Sequence, residues 1–297
     1  MRSKPYSRNS ARNALLLLSL TILPLAGFGC SSSTTPTFNA ENTEDAIREM
    51  VRNEYGVDVV VTLLEQTLWI YLPLEDIFTK SDEPTTYTEN FAIKHNDAWF
   101  QNGALSVTYD IHSIPEEEKT QEMQYNQAAS ENINAVWKIL RRVFFSLEKH
   151  KRDELKFLSI VLADIKNGYL IHQIIYQDDF IKVSYNYISW TEFQHRMIQD
   201  SIPAPAVIDN KDAQHLAYRE ITMEEFLSRQ IKQRVQSKFS KPEVPVDADI
   251  DAEIRKVTRH TLKIYRYEGF DTVGFYNLGT DHKVTINKSA LFTGESS

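Results

Sequence analysis

One thiol and eight imidazoles are the side chains of this chain best suited to thiolate or zinc chemistry. These are Cys30 and His95, His112, His150, His172, His195, His215, His260 and His282. No two of the histidines stand four residues apart and no HExxH occurs, so the two-imidazole helix face of a zinc protease is missing. Asp247, Asp249 and Asp251 begin like a calcium loop. Ala252, however, stands where the sharp turn needs glycine, and Thr258 where a bidentate glutamate is needed. Those acids better suit the first turn of a helix, whose dipole favours negative charge. No G-x-S-x-G elbow, Walker loop or G-x-G-x-x-G turn is present.

Paired carboxyl groups could hydrolyse a glycosidic bond if they faced each other across a cleft, about 5–9 Å apart. The adjacent pairs Asp178–Asp179 and Glu224–Glu225 diverge on a helix and read as solvated faces. No catalytic residue, metal ligand or cofactor is assigned from the sequence. Trp69 and Tyr71 share one face of an expected strand and form a candidate interaction surface. The same pair would equally serve as sheet core beneath a covering layer.

Cys30 has a specific setting. The chain opens with Arg2, Lys4, Arg8 and Arg12, carries no acid before Glu41, and continues with the apolar run ALLLLSLTILPLAGFG from Ala14. A spanning helix needs about 20 apolar residues. This run is shorter, and Pro24 breaks it. Basic start, short apolar middle and small residues at the end are the pattern of a secretory signal peptide. Gly27, Phe28 and Gly29 before Cys30 resemble the lipobox of bacterial lipoproteins, with Gly27 where that family usually has leucine and Leu25 two places further back.

The resemblance implies cleavage between Gly29 and Cys30 and a diacylglyceryl group on the Cys30 thiol. One acyl chain holds a protein to a bilayer marginally and two hold it stably, at about 0.8 kcal/mol per buried methylene. Ser31 to Pro36 reads as a flexible tether. Ser31 after the cysteine implies outer-membrane sorting, with the body facing the periplasm. A single cysteine excludes a disulfide within the chain.

The full chain of 297 residues has 33 basic and 41 acidic side chains, a formal charge of −8. Cleavage before Cys30 would remove four basic residues and no acid, leaving the body at about −12. An acidic body excludes nucleic acid as the expected partner, since phosphates call for Lys and Arg. It also gives no electrostatic help at an anionic bilayer, so the N-terminal lipid would hold the protein alone.

Three segments repeat one plan, an amphipathic helix followed by an antiparallel hairpin. Glu44–Tyr55 ends at Gly56 and leads into strands at Val57–Leu63 and Thr67–Leu72, with Leu68, Ile70 and Leu72 opposite Trp69 and Tyr71. Ile133, Val136, Trp137, Leu140, Val143, Phe144 and Leu147 form the second helical stripe, ahead of strands at Leu155–Ala163 and Tyr169–Tyr176. Ile250, Ile254, Val257, Thr261 and Ile264 form the third, ahead of Thr272–Leu278 and His282–Asn287. A further hairpin is expected between Phe91 and His112, turning at Asn102-Gly103, with loops at Pro84–Asn90 and Pro115–Thr120. Ser189 with Glu192, and Thr222 with Glu225, mark two helix starts as capping boxes.

The expected class is α+β: repeated helix-plus-antiparallel-hairpin units, a sheet with helices packed on one face. The expected organisation is a signal peptide over 1–29, the lipidated cysteine and tether over 30–40, and an α+β domain over 41–200. A linker and helical connector follow over 201–246, and a helix-hairpin unit over 247–297. The expected function is a lipid-anchored cell-envelope lipoprotein, a non-enzymatic binding or scaffolding module that contacts another envelope protein. Two alternatives stand beside it. One is an envelope hydrolase assembled from distant acids and histidines. The other is a small-ligand or lipid carrier with an apolar cavity between sheet and helices.

Overall fold

The computed structural model describes residues 42–147, 152, 154–240 and 244–293. Cys30, Gly29, the signal-like run and the tether lie outside the described residues. The described body is α+β, with seven helices and nine strands in two sheets.

The first sheet runs β1 (Val60–Leu64), β2 (Thr67–Leu74), β5 (Phe157–Asp164), β6 (Tyr169–Tyr176) and β7 (Ile198–Pro203), in the order β1-β2-β5-β6-β7. Its pairs are antiparallel except β2–β5, which is parallel. The second runs β3 (Phe78–Gln101), β4 (Ala104–Tyr125), β8 (Thr272–Asn277) and β9 (His282–Asn287), in that order, with β4–β8 parallel. The helix-plus-hairpin units are present. Helix α1 (Thr43–Tyr55) precedes β1–β2, α2 (Gln127–Ser146) precedes β5–β6, and α6 (Ile250–Ile264) precedes β8–β9. Gly56 closes α1 at φ 68°, donating its N–H to Arg52 at 2.9 Å.

Strand β2 shows how the layers form. Leu68, Ile70 and Leu72 join Ile47 and Val51 of α1 and Val136, Leu140 and Val143 of α2 in one apolar core. Trp69 and Tyr71, on the opposite face, join a second core. There they meet α5 (Met223–Phe239) and the strands of the second sheet. Both faces of β2 and β5 are therefore covered, and all eight residues of β5 are buried. Phe226, Leu227, Ile231, Val235 and Phe239 place α5 in the shared core, where Phe239 meets Phe91 of β3 edge-on at 5.2 Å.

Pro84–Asn90 and Pro115–Thr120 are not loops. They belong to the β3–β4 hairpin, which pairs from Phe78↔Tyr125 to the Asn102-Gly103 turn. Their side chains are mostly exposed, so the alternation of apolar and polar residues that marks a half-buried strand does not arise. Pro84 sits within the register shift between Lys80 and Thr85. Pro115 sits opposite the shift between Glu89 and Phe91. These are irregular places where a missing N–H costs no ladder bond. At the turn, Asn102 and Gly103 take φ of 51° and 76°, as a two-residue hairpin requires.

Three short elements carry no clear periodicity: α3 (Gln177–Ser184), α4 (Trp190–Arg196) and α7 (Lys288–Thr293). Asp179 on α3 is buried, not part of a solvated face. Arg196 of α4 compensates it, donating from Nη1 at 2.8 Å. Ser189 and Thr222 cap α4 and α5, accepting from the N–H of Glu192 at 3.1 Å and Glu225 at 3.2 Å. The two glutamate carboxylates bind arginines: Glu192 takes Arg196, and Glu225 takes Arg219.

Candidate functional site

The cross-strand pairs of β2, β5 and β6 build the floor of the candidate site. Trp69 stands opposite Ser159, and Val161 opposite His172. This register brings the Trp69 and His172 rings into a stack, with centroids 5.3 Å apart and planes at 24°. Ser159 Oγ lies 2.7 Å from His172 Nε2, beneath the pair.

Residues 210–222 contain no helix or strand and cross this floor as a strap. Three side chains from the same face of β2 hold it. Trp69 Nε1 donates to the Arg219 carbonyl at 2.9 Å, and Thr67 Oγ1 accepts from the Ile221 N–H at 2.9 Å. Tyr71 donates to the Asn210 carbonyl at a longer 3.4 Å. The strap returns two rings to the strand: Tyr218 meets Trp69 edge-on at 5.5 Å, and His215 meets Tyr71 edge-on at 5.5 Å. Trp69 is 5% exposed and Tyr71 0%. The proposed aromatic surface is thus largely covered by the chain's own strap.

Between strap and sheet lies a cavity of about 480 Å³. Trp69, Val161, Leu170, Ile202, Leu216 and Ile221 give it apolar walls. Its polar lining is His172, Arg219, Glu225 and Arg229. Arg219 clasps Glu225 with both terminal nitrogens, Arg229 Nη1 reaches the same carboxylate at 3.3 Å, and Arg229 Nη2 pairs with Asp200. Two guanidinium groups and two carboxylates therefore neutralise one another. Burial pushes the His172 imidazole down to about 4, with Arg229 adding to the effect. It is neutral near pH 7, so the floor carries no charge.

This arrangement can bind but does not supply a nucleophile. Ser159 is fully buried beneath the stacked rings, and His172 turns Nε2 toward it. An acid–histidine pair lies where α6 meets the other sheet. His282 Nδ1 is 2.9 Å from Asp251, which also accepts from Tyr109 at 2.9 Å and Asn277 at 2.8 Å. Burial raises the Asp251 carboxyl, but the hydrogen bonds from His282, Asn277 and Tyr109 outweigh it and leave the group below its ordinary range. The network ties the first turn of α6 to β4, β8 and β9. It does not line the cavity. Asp249 caps α6, accepting from the Ala252 N–H at 3.0 Å. Among the described residues, no group of three or more His, Cys, Asp or Glu is arranged to hold a metal ion.

No family model, curated protein or solved structure matches this chain.

The strap and its arginines carry no sequence signal, because an irregular segment has no period to detect. Exposed aromatic residues gather between α3 and the start of α4. Tyr185, Tyr187 and Trp190 are 52%, 77% and 56% exposed. Tyr185 stacks edge-on against Phe145 at 4.8 Å and lies 5.8 Å from Tyr187. The signal was available in the spelling YNYISW, where three aromatic residues fall outside any amphipathic stripe.

Proposed function

We propose that this chain is a lipid-anchored, non-enzymatic binding protein of a bacterial cell envelope, and that its body takes a small apolar ligand in the cavity under the strap. The observation that carries the reading is the lining: apolar walls, a stacked Trp69–His172 floor and a rim whose charges cancel. An uncharged, flat, apolar molecule would lose water from its faces there without stranding a charge. The sealed Ser159 supports binding over hydrolysis. Cys30 would carry the lipid, with the outer membrane, facing the periplasm, as the proposed location.

The test is a fluorescence titration of the body with N-phenyl-1-naphthylamine, an uncharged apolar probe. One saturable site is expected, insensitive to salt because no net charge is paired. Leu216→Trp should fill the cavity and abolish that site. Equal binding by parent and Leu216→Trp would refute the cavity as the seat.

A second reading, contact with another envelope protein, is favoured by the exposed Tyr185, Tyr187 and Trp190. Aromatic side chains of this kind supply much of the binding energy at protein interfaces.

A further inference from the structure

Away from the cavity, helices α4, α5 and α6 enclose a recess of about 250 Å³ with a different lining. Gln194 and His195 come from α4, Gln233, Arg234 and Lys238 from α5, and His260 from α6. Almost every group here is a hydrogen-bond donor or can become one by taking a proton.

The charges around it explain why Arg234 stands out. Asp179 of α3 and Glu192 of α4 are both bound by Arg196, at 2.8 and 2.7 Å. Glu253 of α6 is bound by Lys238 at 2.5 Å and Lys256 at 3.6 Å. Lys263 adds a further positive charge on the α6 side of His260. Arg234 donates from Nε to Gln230 at 3.1 Å, and its Nη2 is buried with no hydrogen-bond partner. Among the described residues no carboxylate lies within ion-pair distance of Arg234. In a chain of net charge −8, this recess is a place where cations exceed acids and one guanidinium makes no ion pair, although Asp179 acts with it on the Tyr265 hydroxyl.

We propose that the recess is a binding site for a small oxyanion group, a sulfate, phosphate or phosphoester, held by Arg234 with His195, His260 and the Gln194 amide as further donors, since Gln233 is already tied to Met197 and Gln199. A guanidinium matches the paired oxygens of such a group. Burial and then Arg234 lower the His260 imidazole below its ordinary value, against an opposing pull from Glu192. A bound dianion reverses that balance and favours the imidazolium. Binding therefore takes up protons, and affinity rises on acidification. This site is independent of the apolar cavity and of its ligand.

The test uses sulfate, whose charge is constant across this range, whereas phosphate itself titrates. Sulfate is added to the full chain at fixed ionic strength, against chloride, with binding read by titration calorimetry in every variant and by the imidazole C–H resonances of His195 and His260 wherever those residues are present. Saturable shifts are expected at about pH 5.5, with about tenfold weaker binding at about pH 8. Arg234→Gln should lose saturation and Arg234→Lys should retain part of it. Should Arg234→Gln fail to fold, the double variant His195→Gln/His260→Gln serves, since both imidazoles are exposed. It should bind sulfate with no pH dependence below neutrality. Sulfate shifts no larger than chloride shifts, parental affinity in folded Arg234→Gln, or an unchanged pH profile in the double variant would each overturn the proposal.

Discussion

His172 is the residue on which the neutrality of the cavity depends. Its folded-state imidazole titrates at about 4, and an unfolded one at about 6.5. Between those values the unfolded chain binds the extra proton, so this group makes stability fall as pH drops from about 6.5 towards 4. The full effect is about 3 kcal/mol, with most of it developed by about pH 4.5. Urea melts of the parent and His172→Gln at neutral and acid pH should show the variant losing less stability on acidification. Identical acid losses in the two proteins would refute this role. The face that Trp69 takes was legible at this scale, since aliphatic and aromatic residues alternate along β2. Its stacking partner was not, because the pairing of β5 with β6 places His172 diagonally across from it.

At the scale of elements, boundaries were readable where a cap or a turn residue sets them. Gly56, Ser189, Thr222 and the Asn102-Gly103 pair all stand where their local chemistry puts them. The exposed half of the β3–β4 ribbon and the strap were not legible, since neither buries one face on a regular period. Nor does local patterning reveal that α5 lies between two sheets, a fact of tertiary packing. Two substitutions in that helix separate local from tertiary contributions. Thr222→Ala removes the cap and should cost about 1 kcal/mol. Ile231→Ala opens a hole in the shared core and should cost about 2–5 kcal/mol. Urea melts measure both. Equal losses, or a larger loss from the cap, would contradict the central position of α5.

The whole molecule combines an acidic α+β body with a candidate lipid site. No described helix is long and apolar enough to cross a membrane. The body's negative charge would be repelled by an anionic bilayer, so under the proposed function any retention at a membrane would rest on Cys30. The claim on which the proposed function depends is that this body works while held at a bilayer by that one thiol. Fractionation of cells expressing the full chain, followed by a high-salt wash of the membranes, tests it most directly. The parent should remain with the membranes and Cys30→Ala should move to the soluble exported pool. A Cys30→Ala protein that stays membrane-bound through the wash would contradict the account.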